Sequence, residues 1–152
     1  MISLVLYQPD IPQNTGTMLR LCACLGVDVH VIEPVGFDLS DRALKRAGMD
    51  YLVQVRLIRH LSWDKFVAWQ TDAGRRLVLA TTKAALPYAD FGFASGDLIL
   101  MGRESAGVPE PVHAAADARV TIPMVAGMRS LNVATAAAMV LGEALRQTGG
   151  FP

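Results

Sequence analysis

Short apolar runs alternate with amphipathic stretches along the chain. The apolar runs predict six strands, at Ile2–Leu6, Val27–Ile32, Leu52–Ile58, Leu77–Ala80, Leu98–Met101 and Val120–Ile122. Several runs are apolar at every position, which is typical of strands covered on both faces. Helical patterns lie between them, at about 14–25, 40–47, 62–71, 109–116 and 131–147. This alternation predicts an α/β protein with a mostly parallel sheet and helices on both faces, in a single domain over residues 1–152.

The first and last predicted helices carry end signals. Asn14 is the predicted N-cap of the first helix and Gly26 is its predicted end. Ser130 is the predicted N-cap of the last helix, which ends before Gly149. Small residues at 133–139 would allow this helix to pack closely on another backbone, within the domain or across a dimer. A high helix propensity explains the same residues without any such contact.

Composition and charge narrow the class of protein. Of the 152 residues, 52% are apolar and 18% are charged, which favours a folded chain over a disordered one. Fourteen basic and fourteen acidic residues leave no net charge. This balance counts mildly against an RNA substrate, because nonspecific nucleic-acid binders are usually basic. Arg42, Lys45 and Arg46 form a local basic cluster that softens the objection, although a solvated helix face explains them equally well.

Neither a membrane segment nor a metal site is predicted. No apolar run reaches the roughly 18 residues that span a bilayer, and the N-terminal segment resembles a strand rather than a signal peptide. We therefore expect a soluble, cytoplasmic protein that does not bind a membrane. Cys22 and Cys24 lie two residues apart in a helical stretch, so their side chains point about 200° apart. The three histidines are scattered along the sequence, and we expect no bound metal.

Three loops that follow predicted strands are rich in glycine and polar residues, at 12–20, 102–109 and 122–132. Ligands of open α/β sheets bind beyond the carboxyl ends of the strands, so these loops form the candidate site. Their main polar side chains are those of Asn14, Arg20, Glu104, Ser130 and Asn132.

Several common site types do not fit these loops. Gly102 and Gly107 have the spacing of a phosphate-binding P-loop, but Val108 and Pro109 stand where lysine and serine or threonine are required. No G-x-G-x-x-G run follows the first strand, which disfavours a Rossmann dehydrogenase. No Ser-His-Asp or Cys-His arrangement is available to the loops, which disfavours a hydrolase.

Taken together, the loops resemble the three motifs of the SPOUT superfamily of RNA methyltransferases. The corresponding segments are 14–16 with Arg20 for motif one, 102–109 for motif two, and 122–124 with 130–133 for motif three. The similarity extends over essentially the whole chain to one branch, the tRNA (cytidine/uridine-34)-2′-O-methyltransferases. The opening run from Leu6 to Gly16 is similar to the start of that branch.

The resemblance implies a C-terminal trefoil knot (an α/β-knot), a homodimer, and S-adenosylmethionine as the methyl donor. The donor contacts that it implies are Ala80, Gly102, Ile122, Ser130 and Leu131. The catalytic residues that it implies are Arg20, Asn14, Glu104, Ser130 and Asn132. A guanidinium is a poor base, so we expect Arg20 to orient the ribose or a phosphate and to stabilise the developing alkoxide. Glu104 is the alternative proton acceptor.

The substrate implied by the resemblance is the wobble pyrimidine, position 34, in the anticodon stem-loop of tRNA. Several relatives modify this position in leucine tRNAs. The candidate RNA contacts are Arg129, Arg46, Arg42 and Arg59. One departure from some relatives is Gly142, where they carry tyrosine. Two alternatives stay open: a non-enzymatic nucleotide- or RNA-binding regulator on a similar sheet, and a 2′-O-methyltransferase that acts on another RNA site.

Overall fold

A computed structural model describes residues 1–40, 42 and 54–152. Within these residues the strands are β1 (Ser3–Tyr7), β2 (Asp28–Ile32), β3 (Leu57–His60), β4 (Leu77–Ala80), β5 (Leu98–Met101) and β6 (Ala118–Val120). The helices are α1 (Pro12–Leu25), α2 (Trp63–Ala73), α3 (Glu110–Ala115) and α4 (Val133–Thr148), with a 3-10 turn at Tyr88–Asp90. The strand order is β3-β2-β1-β5-β4-β6, and each neighbouring pair is parallel. The predicted parallel sheet is confirmed.

Helices cover both faces of the sheet, as predicted. Leu4 and Leu6 of β1 pack in the same apolar core as α1 and α4. Val5 and Tyr7 point the other way and pack in a second core with Phe66 of α2. Successive side chains of a strand face opposite sides of the sheet, so a strand that is apolar at every position needs cover on both sides.

Both predicted N-caps are wrong. α1 begins at Pro12, ahead of Asn14, and its N-cap residue Ile11 makes no side-chain hydrogen bond. Proline at the first helical position has no N–H to satisfy and a φ angle suited to the helix, so this start needs no polar cap. α4 is capped by Asn132 rather than Ser130, because the Asn132 side chain accepts hydrogen bonds from two backbone N–H groups of the first turn. Gly26 does end α1, in the left-handed conformation.

β1 and β2 lie within one residue of their predicted bounds, whereas β3 and β6 differ by more. β3 begins at Leu57, the first residue that pairs with β2, where it lies opposite Val29. Residues 52 and 53 of the predicted strand lie outside the described residues. β6 ends at Val120, so Ile122 belongs to the loop beyond the sheet. The predicted helix at 40–47 also lies outside the described residues, except for positions 40 and 42.

α4 packs on the sheet through small and branched apolar side chains. Its buried residues are Ala134, Ala137, Val140, Leu141, Ala144 and Leu145. A Cβ atom built at Gly142, where some relatives carry tyrosine, meets nothing within 4 Å. In the part of the chain that the structure describes, no helix is long and apolar enough to cross a membrane.

Two histidines that are distant in the sequence meet beneath α2. His30 of β2 and His60 of β3 are buried, and Nδ1 of His30 lies 2.9 Å from Nε2 of His60. The rings of Phe66 and Trp69 cover the pair. Burial lowers the pKa of His30 to about 4, with His60 as a second cause, and burial also lowers the pKa of His60. Both imidazoles are therefore neutral at pH 7, with one donating and the other accepting the hydrogen bond.

This pair should make the protein less stable in mild acid. An unfolded histidine has a pKa of 6.5, whereas folded His30 has a pKa of about 4, so the unfolded state binds more protons between these values. We expect the free energy of unfolding to fall by about 2 kcal/mol as the pH is lowered from 7 to 5. Urea unfolding at a series of pH values measures this slope.

The matched variants separate the pair from other titrating groups. In His30→Gln/His60→Gln the slope should largely disappear, because glutamine does not titrate. His113→Gln, on α3, removes a histidine outside the pair and should leave the slope as it is. An equally steep slope in the double variant would contradict the assignment.

Candidate active site

A cavity of about 500 Å³ lies beyond the carboxyl ends of β4, β5 and β6. These three strands are neighbours in the sheet, so the loops that follow them meet at one edge. The lining residues are 79–82, 101–108, 120–122, 130–133, Ile11, Asn14, Met124 and Ala136. The three loops singled out in the sequence therefore contribute to one cavity.

Two glycines shape the loop after β5. The backbone N–H of Arg103 donates to the carbonyl of Gly107 at 2.8 Å, and the N–H of Gly107 donates back to the carbonyl of Arg103 at 2.9 Å. Gly107 has a φ of +63°, in the left-handed region. A Cβ atom on Gly102 would lie 2.8 Å from backbone atoms of Gly107. The turn closes this tightly only because position 102 has no side chain.

Asn132 joins the first and third loops. Its Nδ2 donates to Oδ1 of Asn14 at 3.0 Å, while its own Oδ1 caps α4. Because α1 begins at Pro12, the side chain of Asn14 is not used as a cap and is available for this contact. The two amides thereby hold the starts of α1 and α4 together at the cavity.

Two carboxyl groups meet beside the loop after β5. The backbone N–H of Asp10 donates to Oε2 of Glu104 at 3.1 Å. The neighbouring Glu104 side chain lowers the pKa of Asp10, helped by the hydroxyl of Ser105, which donates to the Asp10 carboxylate. Burial raises the pKa of Glu104, and the neighbouring Asp10 side chain raises it further. Asp10 therefore carries the negative charge when the pair holds a single proton.

Some polar atoms of this group lack partners. Oε1 of Glu104, Oδ1 of Asp10 and Nε of Arg103 are buried and make no hydrogen bond within the described part of the chain. Arg103 Nη2 lies 3.6 Å from Oδ2 of Asp10, which is long for a direct bond. Buried polar atoms without partners are costly, and they are concentrated at functional sites.

Most of the predicted donor-binding and catalytic residues line the cavity: Asn14, Ala80, Gly102, Glu104, Ile122, Ser130, Leu131 and Asn132. Arg20 is the one among these predicted residues, all of which the structure describes, that does not. It is exposed on α1. Six residues of an α-helix turn through about 600°, so the side chains of Asn14 and Arg20 point about 120° apart.

Three of the four predicted RNA contacts lie among the described residues, and all three are exposed. Arg129 is exposed in the loop before α4, and Arg42 is exposed as well. Arg59 is 52% exposed and forms an ion pair with Glu33. Arg46 lies outside the described residues. The contact of these arginines with RNA stays a prediction.

Asp10 was not among the predicted site residues, and the structure brings it to Glu104. Its position directly after β1, at the carboxyl edge of the sheet, is the signal that could have pointed to it. Its partner lies 94 residues further along the chain. Among the described residues, no group of three or more histidine, cysteine, aspartate or glutamate residues could hold a metal ion.

Comparisons with known proteins point to one family. The profile of the SpoU rRNA Methylase family matches residues 1–142. A tRNA (cytidine(34)-2'-O)-methyltransferase of Beijerinckia indica is 70% identical over 148 residues, which cover 97% of this chain and 92% of the relative.

Solved structures agree with this result. A structure that concerns the 2-OH methylation of C/U34 on tRNA has a TM-score of 0.89 and 42% identity, covering 97% of this chain and 95% of that chain. The SpoU methyltransferase AviRb of Streptomyces viridochromogenes, in complex with AdoMet, has a TM-score of 0.85 and 29% identity. That match covers 95% of this chain and 59% of AviRb.

The fold class expected from the resemblance is confirmed by the parallel sheet and by these SPOUT neighbours, and a trefoil knot is characteristic of that class. The family profile covers most of the chain, and the relative from Beijerinckia matches nearly all of it. The chain therefore belongs to the SpoU rRNA Methylase family.

Proposed function

We propose that this protein is an S-adenosylmethionine-dependent tRNA (cytidine/uridine-34)-2′-O-methyltransferase. It would methylate the ribose 2′-hydroxyl of the wobble pyrimidine in the anticodon stem-loop, and leucine tRNAs are the first substrates to test. The observation that carries the proposal is the meeting of three motif loops around one cavity. The acceptor is supported by the name of the Beijerinckia relative and by the C/U34 structure. Because the proposed substrate is tRNA, we also propose that the protein is cytoplasmic.

The cavity fits the donor in size and chemistry. Its volume of about 500 Å³ lies within the range of small-ligand sites, about 300–1,000 Å³. An adenine ring would pack against the apolar side chains of Leu79, Ile122 and Leu131. Gly102 has no side chain, so a ligand can approach its backbone closely. We assign the donor contacts to Ala80, Gly102, Ile122, Ser130 and Leu131. When bound, S-adenosylmethionine supplies a methyl group on a positively charged sulfur. The AdoMet complex of AviRb supports this assignment.

We assign the remaining polar groups to the acceptor. Asn14 and Asn132, joined at 3.0 Å, would orient the ribose together with Ser130. Arg20 would stabilise the negative charge that develops on the ribose oxygen as its proton leaves. Aligning the hydroxyl and stabilising this charge are the two tasks that such a transfer sets.

We further propose a homodimer, because Arg20 does not line the cavity of its own chain. In the loop between β6 and α4, Val125 is 80% exposed and Met128 is 67% exposed. The same loop contributes Met124 and Ser130 to the cavity. A twofold interface over this loop would bury the apolar side chains and bring Arg20 of the partner subunit to the cavity.

A dimer would also help a chain without net charge to bind tRNA. We assign phosphate contacts to Arg129, Arg42, Arg46 and Arg59. Each subunit would contribute one copy of this set, so a single tRNA would meet more cations than one chain offers. Phosphate contacts position the RNA without reading its sequence.

The test is transfer of labelled methyl from S-adenosylmethionine to tRNA from cells that lack this modification, followed by nucleoside analysis. We expect label in a 2′-O-methylated pyrimidine at position 34. A matched tRNA with 2′-deoxyribose at position 34 should take up no label there, because it has no hydroxyl to methylate.

Other outcomes separate the alternatives. Label at a different position, or only in ribosomal RNA, would favour the alternative that the protein is a 2′-O-methyltransferase acting on another RNA site. A folded protein that does not bind the donor at all would contradict the proposal and favour the non-enzymatic regulator.

A further inference from the structure

Asp10 lies where three loops meet. It follows β1, and its backbone N–H donates to Glu104 in the loop after β5. Its carboxylate accepts a hydrogen bond from the hydroxyl of Ser105 in the same loop. The loop after β2 packs on it from another side, because a Cβ atom on Gly36 would lie 2.8 Å from Cβ of Asp10. Asp10 cannot shift without moving Glu104.

Glu104 is the carboxyl group that lines the cavity. Its Oε2 accepts from Asp10, whereas its Oε1 is buried and has no partner among the described residues. The charged group that acts on its pKa is Asp10, from the loop after β1, and Nη2 of Arg103 lies 3.6 Å from the Asp10 carboxylate. Among the described residues that line the cavity, Arg103 and Glu104 are the only charged ones. A group that takes up a proton inside this cavity is therefore most simply Glu104.

We propose that Glu104 accepts the proton that the ribose hydroxyl releases, and that Asp10 is the positioning residue that holds Glu104 for this task. The inference rests on the proposed function. As the methyl–sulfur bond breaks, its electron pair stays on sulfur and a carbon–oxygen bond forms to the ribose. The O–H bond breaks, its electrons stay on oxygen, and the proton passes to the Glu104 carboxylate. The neutral acid then returns the proton to water.

The pairing with Asp10 makes Glu104 better suited to this role than an exposed glutamate. A general base works best when its pKa lies near the working pH. Burial and the neighbouring Asp10 side chain both raise the pKa of Glu104, in that order of size. Two carboxyl groups whose surroundings push their pKa values apart commonly divide such tasks, one staying charged while the other carries the proton.

Glu104→Gln tests the proton acceptor, and Asp10→Asn tests the positioning residue. Glu104→Gln should lower kcat by about a hundredfold, a typical contribution of general base catalysis. Asp10→Asn keeps the backbone N–H that Glu104 accepts but replaces the charged acceptor of Ser105 by a neutral amide, and it should lower kcat by about tenfold or less, the weight of one hydrogen bond to a charged group. It should also move the acid limb of the kcat–pH profile to lower pH, because Glu104 loses the neighbour that favours its protonated form.

Two further variants control this experiment. Asp10→Glu keeps a carboxylate and should return the acid limb towards its wild-type position. Asp72→Asn makes the same chemical change at an exposed position of α2 and should leave both kcat and the profile unchanged. The KM for S-adenosylmethionine should stay the same in Asp10→Asn, since Asp10 does not line the cavity that the described residues form.

A structural role for Asp10 predicts a different result. If Asp10→Asn lowers kcat equally at every pH, with the acid limb in place, the inference is overturned and the proposed function stands. If the wild-type protein methylates no RNA, the proposed function fails. The pairing of Asp10 with Glu104 is then tested by a carbon-13 NMR titration of the Glu104 carboxyl in the free protein. The Glu104 midpoint should move to lower pH in Asp10→Asn, and an unchanged midpoint would overturn the pairing.

Discussion

Replacing Arg20 with alanine is expected to lower kcat for methyl transfer by about a hundredfold or more, with the affinity for S-adenosylmethionine unchanged. Removing one positioned donor from a developing oxyanion costs about 10²–10³ in kcat. Donor affinity should not change, because the assigned donor contacts are Ala80, Gly102, Ile122, Ser130 and Leu131, which line the cavity, whereas Arg20 is assigned to the acceptor. Single-turnover transfer measures the first quantity and titration calorimetry the second.

Arg56→Ala is the matched control. Arg56 has a 76% exposed side chain that pairs with Asp28 at 3.4 Å, far along the sheet order from the cavity strands. This variant should keep the wild-type kcat. A wild-type kcat in Arg20→Ala would show that Arg20 takes no part in the reaction.

Mixed dimers test whether Arg20 acts on the cavity of the partner subunit. With the donor kept below its Kd, Arg20→Ala and Gly102→Ala are each expected to lose about nine-tenths of the activity or more when alone, for different reasons. In a mixed dimer, one of the two sites would combine an intact cavity with an intact Arg20 from the other chain. Random mixing of a twofold dimer should then restore about a quarter of the wild-type activity. No recovery would show that Arg20 and the cavity must belong to the same chain.

Gly102→Ala is expected to lower the affinity for S-adenosylmethionine at least about tenfold and to destabilise the protein by about 1–3 kcal/mol. The added Cβ would lie 2.8 Å from the backbone of Gly107, and backbone atoms cannot move aside as the end of a flexible side chain can. The pair of hydrogen bonds between Arg103 and Gly107 would have to open, and the loop that lines the cavity would shift. Calorimetry with the donor and urea unfolding measure the two effects.

Gly92→Ala is the control for this substitution. A Cβ atom at Gly92 meets nothing within 4 Å, so alanine should be accepted there with little change in stability or donor affinity. An unchanged donor affinity in Gly102→Ala would show that the turn can open without disturbing the site. The close approach of Gly102 to Gly107 would then not be needed for donor binding.

Residues that are neighbours in the sequence were predicted well. The apolar runs located the strands, and their continuity predicted helices on both faces, because burial on both sides leaves no polar alternation. The loops at 102–109 and 122–132 were recognisable since their glycine, serine and charged residues follow strand ends directly. Their meeting at one cavity was predictable because the carboxyl ends of parallel strands share an edge.

The predicted starts of α1 and α4 were wrong, although the sequence contains the residues that set the observed starts. Pro12 and Asn132 outcompete Asn14 and Ser130 as the start signals of α1 and α4. Several side chains can serve as a cap, and the choice depends on which one has its backbone outside the helix. Once Asn14 is not a cap, it is available to Asn132, a contact that propensity cannot anticipate.

The sequence by itself determined the class of fold, the family and most of the cavity lining, because apolar periodicity and motif spacing are properties of neighbouring residues. Only the tertiary structure decided which side chains meet across long separations: Asp10 with Glu104, His30 with His60, and Asn14 with Asn132. It also decided that Arg20 does not line the cavity that the described residues of its own chain form. Such pairings depend on strand order and helix rotation, and these are settled by packing the whole chain at once.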